Sequence, residues 1–212
     1  ILSETSRSFV YLTQIIKHRI KINRIILYSK KKGQVFKLIK KSKIEKLLVY
    51  YKSNNINTKY INKKLKSNKI TFNVVSTYPS EIVKNRSLLN EKLLHCHPGD
   101  LPYFKGSTTI YYSILLKKKI CVTIFLLNES IDGGKIVYKK FFNYPKKLND
   151  IENNFDNKIR ALTLVEYLKN NKNIKYKNSK SINLPYYIAH PIIRQLVLDK
   201  KKLYLWIIFF QK

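Results

Sequence analysis

The sequence predicts an α/β fold, because short apolar strand segments alternate with segments of helical spacing from the first residues onward. Ile1-Leu2 leads into a polar turn, residues 8–18 place apolar side chains at helical spacing, and residues 22–28 form an apolar, β-branched run. This strand–helix–strand order is typical of a parallel sheet covered by helices. Apolar residues make up 44% of the 212-residue chain, which is enough for one domain with a substantial core.

The later elements follow from the same two periodicities. A turn carrying Gly33 follows the second strand, and residues 35–68 are rich in lysine with apolar side chains at helical spacing, among them Leu48 and Tyr51. We therefore expect a helix there, a loop at residues 54–55, and a second helix near residues 59–66. Further strands are predicted at 70–76, 93–97, 120–127 and 135–142, and further helices from 81, at 107–116 with Ser107 as its cap, at 151–168 and at 186–198.

Reactive side chains concentrate at the end of the strand predicted at 93–97. Successive side chains of a strand point to opposite faces, so His95 and His97 share one face while Cys96 points to the other, toward the core. The carboxyl end of a parallel strand opens onto the usual ligand crevice of an α/β sheet. The loop at 98–102 contains two prolines and a glycine, and it is suited to form a wall of such a crevice.

A second reactive side chain, Asp132, lies in the turn before the strand at 135–142. It precedes Gly133 and Gly134, whose missing side chains allow backbone or ligand to approach closely. An aspartate brought next to His97 would raise the pKa of that imidazole and fix its orientation.

The residue types alone leave three interpretations open. His97 and Asp132 are suited to proton transfer or to stabilising an oxyanion. Together with His95 they could instead bind a metal ion. A third interpretation is structural, with both histidines hydrogen-bonded in a turn.

Composition excludes several other classes of protein. The formal net charge is +31, but only six of the 43 basic residues are arginine, the side chain that phosphate and base recognition favours. We therefore interpret the charge as a solvated lysine surface and do not expect nucleic-acid binding. Two cysteines form no disulfide framework, and no apolar run reaches the roughly 18 residues of a membrane helix. We expect a cytoplasmic protein without membrane contact.

Two motifs carry a resemblance to a known family. Residues 97–106 read His-Pro-Gly-Asp-Leu-Pro-Tyr-Phe-Lys-Gly, and residues 131–136 read Ile-Asp-Gly-Gly-Lys-Ile, 35 residues after the histidine. Their order and spacing resemble the formyltransferases that use N10-formyltetrahydrofolate. The stretches 106–113, 154–160 and 186–191 are similar to small bacterial members associated with surface-sugar biosynthesis.

The resemblance implies a Rossmann-like fold with a mostly parallel central sheet flanked by helices. It also implies an Asn–His–Asp catalytic set, in which His97 matches the histidine and Asp132 the aspartate. His95 occupies the position of the asparagine, whose amide helps to hold the formyl oxygen. This is the main departure from the family pattern, although a neutral imidazole can still donate one hydrogen bond.

The resemblance further implies N10-formyltetrahydrofolate as co-substrate, with no metal, and a nucleotide-linked amino sugar as acceptor. Members that modify sugars are often dimers, so a homodimer is compatible with it. It extends over residues 1–199 as the catalytic domain and leaves the basic and apolar tail 200–212 unassigned. The residues expected to bind folate are Thr77, Tyr78, Val83, Ile131 and Gly133, and those expected to bind the acceptor are Lys105, Gly106, Ser107 and Thr108.

Two alternatives accompany this interpretation. The chain could be a catalytically impaired family member, or a basic nucleic-acid-binding protein on the same scaffold. A methionyl-tRNA formyltransferase is a lesser alternative, because the loop after His97 differs from that branch of the family.

Overall fold

The computed structural model describes residues 1–53, 72–78, 92–117, 119–143, 145, 151–170 and 188–199. These residues confirm the α/β class. The strands are β1 Ile25–Ser29, β2 Leu48–Lys52, β3 Asn73–Val74, β4 Leu93–His97, β5 Ile120–Leu126 and β6 Ile136–Phe142. The helices are α1 Ser6–Lys17, α2 Gln34–Lys41, α3 Thr109–Lys117, α4 Asn157–Asn170 and α5 Pro191–Leu198.

The sheet is parallel at its amino-terminal side and antiparallel at its other side. β1 pairs with β2 and β3 pairs with β4 in parallel, whereas β5 is antiparallel to both β4 and β6. Leu2 makes parallel bridges to Leu27 and to Ser76, and it thereby joins the two sets of strands. β5 and β6 are joined by a short turn, and a connection of that length can link only antiparallel neighbours.

Helices α1 and α4 pack against each other, and α1 contributes side chains to two core clusters of the described residues. Tyr11 belongs to the cluster beneath β4 and β5, which includes Leu94 and Ile124. Its neighbour Leu12 belongs to the cluster between α1, β1 and α2. Cys96 is fully buried in the first cluster, as the alternation along β4 predicted, and burial raises the pKa of its thiol to about 12.

The predicted elements that deliver the reactive residues are confirmed. β4 has the predicted bounds, β5 and β6 differ from the prediction by one residue at one end, and the turn between them contains Asp132. Helix α1 begins two residues earlier than predicted because Thr5 caps it, accepting a hydrogen bond from the Ser8 N–H at 3.1 Å.

Three predictions about secondary structure were wrong. Leu48–Lys52 is a strand rather than part of a helix, because parallel pairing with β1 satisfies its backbone. Helix α3 begins at Thr109, so Ser107 does not occupy the position directly before it. Residues 188–190 belong to no helix or strand, and the last helix begins at Pro191 with His190 as its cap. The helix predicted at 151–168 is confirmed, and its first turns, Ile151–Asp156, are π-helical.

Two other predicted helices, near residues 59–66 and from residue 81, lie outside the described residues.

Candidate active site

His97 ends β4 and lies beneath the loop that follows it, with 2% of its surface exposed. Its cross-strand partner on β5 is Thr123. The Thr123 hydroxyl donates to the carbonyl of Gly99 at 2.6 Å and accepts from the N–H of Leu101 at 3.2 Å. A single polar residue in an apolar strand therefore ties the loop over the histidine.

The Nε2 atom of His97 is held from the inside of this loop. It lies 2.7 Å from the carbonyl oxygen of Phe104 and 3.3 Å from the hydroxyl of Thr109. The Thr109 hydroxyl donates its own hydrogen to the Pro98 carbonyl at 2.9 Å. Because a carbonyl oxygen only accepts, the Nε2 atom carries a hydrogen.

The other ring nitrogen, Nδ1, faces Asp132 with 3.4 Å between Nδ1 and Oδ2. The same Oδ2 atom accepts the backbone N–H of Gly106 at 2.7 Å. With the Nε2 hydrogen fixed, a neutral imidazole would turn a lone pair toward the carboxylate. A favourable contact therefore requires one further proton between the two side chains, so His97 and Asp132 are placed to share a proton when the imidazole is protonated, and we call them the proton-holding pair.

Burial lowers the pKa of His97, and this effect is opposed by the charge of Asp132 and by the hydrogen bond to the Phe104 carbonyl. Asp132 does act to raise the pKa of His97, as predicted. The pKa is nevertheless lowered overall, because desolvation of a buried imidazolium is the larger effect. The histidine is consequently poised to lose the proton that the pair holds.

The turn that carries Asp132 depends on Gly134, two residues further along the chain. A β-carbon on Gly134 would lie 1.6 Å from the carbonyl oxygen of Leu126, so only glycine fits there. Asp132 itself has a left-handed backbone, with φ of 47°. Because Gly134 has no side chain, the Leu126 carbonyl can pack directly against it, and this packing directs the Asp132 carboxylate toward His97.

His95 lies on the same strand with its ring against Phe125, at 5.7 Å between ring centroids. Its Nδ1 atom is 3.4 Å from the carbonyl oxygen of Val75. Burial and the charges of Arg7 and Arg160 hold the pKa of His95 well below its usual value, so the ring is neutral. A neutral ring that donates from Nδ1 presents Nε2 as an acceptor, which differs from the donor function expected of this position.

The residues predicted to bind folate divide between buried and exposed positions. The carbonyl of Thr77 accepts a hydrogen bond from Arg7 at 2.6 Å, and the ring of Tyr78 packs edge-on against Tyr28. Ile131 is 52% exposed beside Asp132. The Gly133 N–H contacts the Ser130 carbonyl at 3.4 Å, and Val83 lies outside the described residues.

The residues predicted to bind the acceptor form one loop, but two of them make internal contacts. Gly106 donates its N–H to Asp132, and the hydroxyl of Thr108 accepts the N–H of Ala189 at 2.7 Å. Lys105 is half-buried and Ser107 is exposed. Residues of this loop therefore make hydrogen bonds that hold the site together, and the loop also lies at the edge of the site.

Sequence reasoning missed several residues that shape this site. Thr123 has a detectable signal, because it is the only strongly polar side chain in an apolar strand. Arg160 donates to the Cys96 carbonyl at 3.2 Å and pairs with Asp156 at 2.7 Å beneath β4. The Phe104 carbonyl has no sequence signal, since every residue carries one.

Within the described part of the chain, no group of three His, Cys, Asp or Glu side chains is arranged to hold a metal ion. Both nitrogens of His97 are already engaged, so the geometry gives no support to the metal-site interpretation. Among the described helices, none is both long and apolar enough to cross a membrane.

Comparison with known proteins assigns this chain to a family. The formyl transferase family matches residues 9–162, a span that contains both His97 and Asp132. No curated protein matches the sequence.

Solved structures share the fold at low sequence identity. A phosphoribosylglycinamide formyltransferase from Bacillus halodurans is 19% identical with a TM-score of 0.55, and the match covers 80% of this chain and 94% of that one. An N-formyltransferase from Helicobacter canadensis, in complex with folinic acid and dTDP-3-aminofucose, is 17% identical with a TM-score of 0.59, covering 88% and 69%. A sugar 3N-formyltransferase with dTDP and 5-N-formyl-THF is 16% identical with a TM-score of 0.55, covering 88% and 68%.

These structures confirm the predicted Rossmann-like formyltransferase fold. Since the family match covers most of the chain, this protein belongs to the formyl transferase family of enzymes.

Proposed function

We propose that this enzyme transfers a formyl group from N10-formyltetrahydrofolate to the amino group of a nucleotide-linked amino sugar. The proton-holding pair of His97 and Asp132 carries the proposal, because formyl transfer requires a positioned proton where an oxyanion develops. The pair lies within the family match, and the resemblance of the two sequence motifs assigns both residues to the catalytic set of the family. N10-formyltetrahydrofolate, the family's co-substrate, supplies the formyl carbon.

The proposed reaction begins when the lone pair of the acceptor amine attacks the formyl carbon. The carbonyl electrons move to the oxygen, and a tetrahedral oxyanion forms. Nε2 of His97 is tied inward to the Phe104 carbonyl, so the Nδ1 proton is the one that can meet this oxygen. Asp132 accepts from the same Nδ1–H group and keeps the imidazolium in place while the bond between the formyl carbon and N10 breaks.

The amine loses one proton and N10 of the folate gains one, so the transfer needs a proton relay and no net acid or base. Asp132 is the carboxylate nearest to His97 and is suited to relay this proton. His95 presents an acceptor nitrogen on the same face, which favours contact with the N–H of the amine over contact with the oxyanion.

A sugar acceptor is supported by two of the similar structures, an N-formyltransferase in complex with dTDP-3-aminofucose and a sugar 3N-formyltransferase with dTDP. A glycinamide ribonucleotide is the competing acceptor, since other similar structures are phosphoribosylglycinamide formyltransferases. Both acceptors offer an amine, so the chemistry at His97 would be the same.

We extend the proposal to the catalytic domain at residues 1–199 because α5 packs on α3 and residue 189 contacts the acceptor loop. The tail 200–212 stays unassigned. A cytoplasmic location and a solvated lysine surface that binds no nucleic acid remain predictions from the composition of the chain, and a homodimer remains a prediction from the resemblance.

The test is formyl transfer from N10-formyltetrahydrofolate to a panel of dTDP- and UDP-linked amino sugars and to glycinamide ribonucleotide. We expect turnover with a sugar, and a loss of about 10²–10⁴-fold in the His97→Ala and Asp132→Ala variants. His18→Ala, a histidine change at the exposed end of α1, is the matched control and should keep full activity. Turnover with glycinamide ribonucleotide alone would reassign the acceptor. If no acceptor and no folate binds, the proposed function is wrong.

A further inference from the structure

Two strained backbone positions meet at the candidate site. Among the described non-glycine residues with positive φ, Thr108 has φ of 51° and Asp132 has φ of 47°. Gly106, which lies two residues before Thr108 and donates its N–H to Asp132, has φ of 94°. The left-handed region is unfavourable for a β-branched residue, so Thr108 keeps this conformation only because its surroundings hold it there.

The contact that holds Thr108 comes from the carboxyl-terminal part of the described chain. Its hydroxyl oxygen accepts the N–H of Ala189 at 2.7 Å, across 81 positions of sequence. Ala189 is almost fully buried, and its carbonyl accepts the Nε–H of Arg194 at 3.0 Å. The backbone of Ala189 is therefore fixed on both sides.

The segment around Ala189 is itself anchored. The ring of His190 accepts the Ile192 N–H at 3.2 Å and caps α5, which packs on α3. Arg194 lies over the ring of Tyr111 on α3 at 5.6 Å and pairs with Glu152 at 3.0 Å. The Ala189 N–H that Thr108 accepts therefore belongs to a segment that several contacts hold in place.

On its other side, Thr108 is two residues from Gly106, whose N–H donates to the Oδ2 atom of Asp132 at 2.7 Å. That oxygen is also the one that faces Nδ1 of His97. A continuous series of contacts therefore leads from Ala189 through Thr108 and Gly106 to the carboxylate.

We propose that Thr108 is a positioning residue, which fixes loop 105–108 to Ala189 and thereby holds the Gly106 amide on the Asp132 carboxylate. This inference rests on the proposed function for its effect on turnover, but the contact itself is independent of it. It also gives Thr108 a different role from the direct acceptor contact predicted from the sequence.

The test compares Thr108→Val with Thr108→Ser. Valine keeps the shape and the β-branching but cannot accept the Ala189 N–H, whereas serine retains the hydroxyl. We expect Thr108→Val to lower kcat about tenfold, the effect of one lost hydrogen bond, with little change in the acceptor KM. Thr108→Ser should restore most of kcat. Thr13→Val removes a threonine hydroxyl that donates within α1, to the Phe9 carbonyl, and serves as the matched control with unchanged kcat.

If Thr108 only stabilised the fold, replacing it would leave the pH dependence of activity unchanged. The charged and titratable groups that act on His97 are Asp132, Arg160, Asp156 and His95. If Thr108→Val lets Asp132 move away, the carboxylate opposes desolvation less and the pKa of His97 falls further. Activity that needs the protonated pair would then be lost at lower pH than in the unchanged protein, and Thr108→Ser should restore the original profile.

The amide resonance and hydrogen exchange of Gly106 test the contact without turnover. We expect Thr108→Val to shift this resonance and to speed exchange at Gly106, and Thr13→Val to leave both unchanged. This result would support the contact even if no acceptor were formylated, which separates it from the proposed function. A Thr108→Val protein with unaltered Gly106 exchange would overturn the inference. A rise confined to the acceptor KM would also overturn it and favour direct acceptor contact.

Discussion

Gly99 lies directly against the ring of His97, and a single methyl group there should displace that ring. A β-carbon at Gly99 would be 2.6 Å from Nε2 of His97 and 2.6 Å from the Phe104 carbonyl oxygen. Ordinary contact begins at 3.4 Å, so these groups must separate by about 0.8 Å. Both belong to the hydrogen bond that fixes the imidazole, at 2.7 Å. Gly99→Ala therefore cannot be accommodated without moving the ring.

The magnitude follows from that displacement. Overpacking of this kind costs about 1–3 kcal/mol of the free energy of unfolding. A misplacement approaching 1 Å at reacting groups lowers turnover on the order of 100-fold. We therefore expect Gly99→Ala to fold with a lower Tm and to lose far more activity than its stability accounts for. Steady-state formyl transfer and thermal unfolding of the same preparations measure both quantities.

Gly33→Ala is the matched control. Its β-carbon would meet the Oε2 atom of Glu4 at the same distance, 2.6 Å, but Glu4 accepts the N–H groups of Val35 and Phe36 at the start of α2, so this clash falls on the cap of a helix and not on a residue of the candidate site. We expect turnover equal to that of the unchanged protein. A Gly99→Ala variant with undiminished kcat would refute the reasoning, because it would show that the His97 ring is not held where the structure has it.

Three further predictions concern the supports of the site. Thr123→Val leaves the Gly99 carbonyl and the Leu101 N–H without their buried partner, and urea unfolding should show a loss of about 1–3 kcal/mol. Arg160→Met leaves Asp156 unpaired and should cost about 3–5 kcal/mol, whereas adding Asp156→Asn should recover part of it; equal stability of the single and double variants would contradict this. Because the pKa of His95 is lowered in the folded state, the unfolded chain binds more protons in acid, so stability should fall as pH drops below about 6.5. His95→Asn should weaken that fall between about pH 7.5 and about pH 5.5, and an unchanged slope would exclude His95 as its cause.

The strands that carry the site were predictable because their signals are local. Period-two alternation along β4 correctly directs Cys96 to the core, opposite the two histidines. The helix predicted across Leu48–Lys52 was wrong for a non-local reason. Its spacing suits a helix, but pairing with β1 decides the outcome, and no window of sequence contains that partner.

In the candidate site, too, some features follow from local sequence signals and others depend on contacts with distant residues. The motif identified His97 and Asp132 as a pair, and the structure brings their side chains together at 3.4 Å. The role of Thr108 was beyond prediction from sequence, because its partner Ala189 is 81 residues away and is a backbone group. Backbone donors and acceptors occur at every residue, so sequence carries no signal for which of them will be used.

The sequence by itself determined the fold class, the strand that ends at His97 and the family to which the chain belongs. These depend on side-chain type and spacing along the chain, which are written in the sequence directly. Only the tertiary structure decided the hydrogen on Nε2 of His97 and the direction of its pKa shift. Both follow from a carbonyl brought close by the loop and from burial beneath it, and burial is a property of the packed molecule.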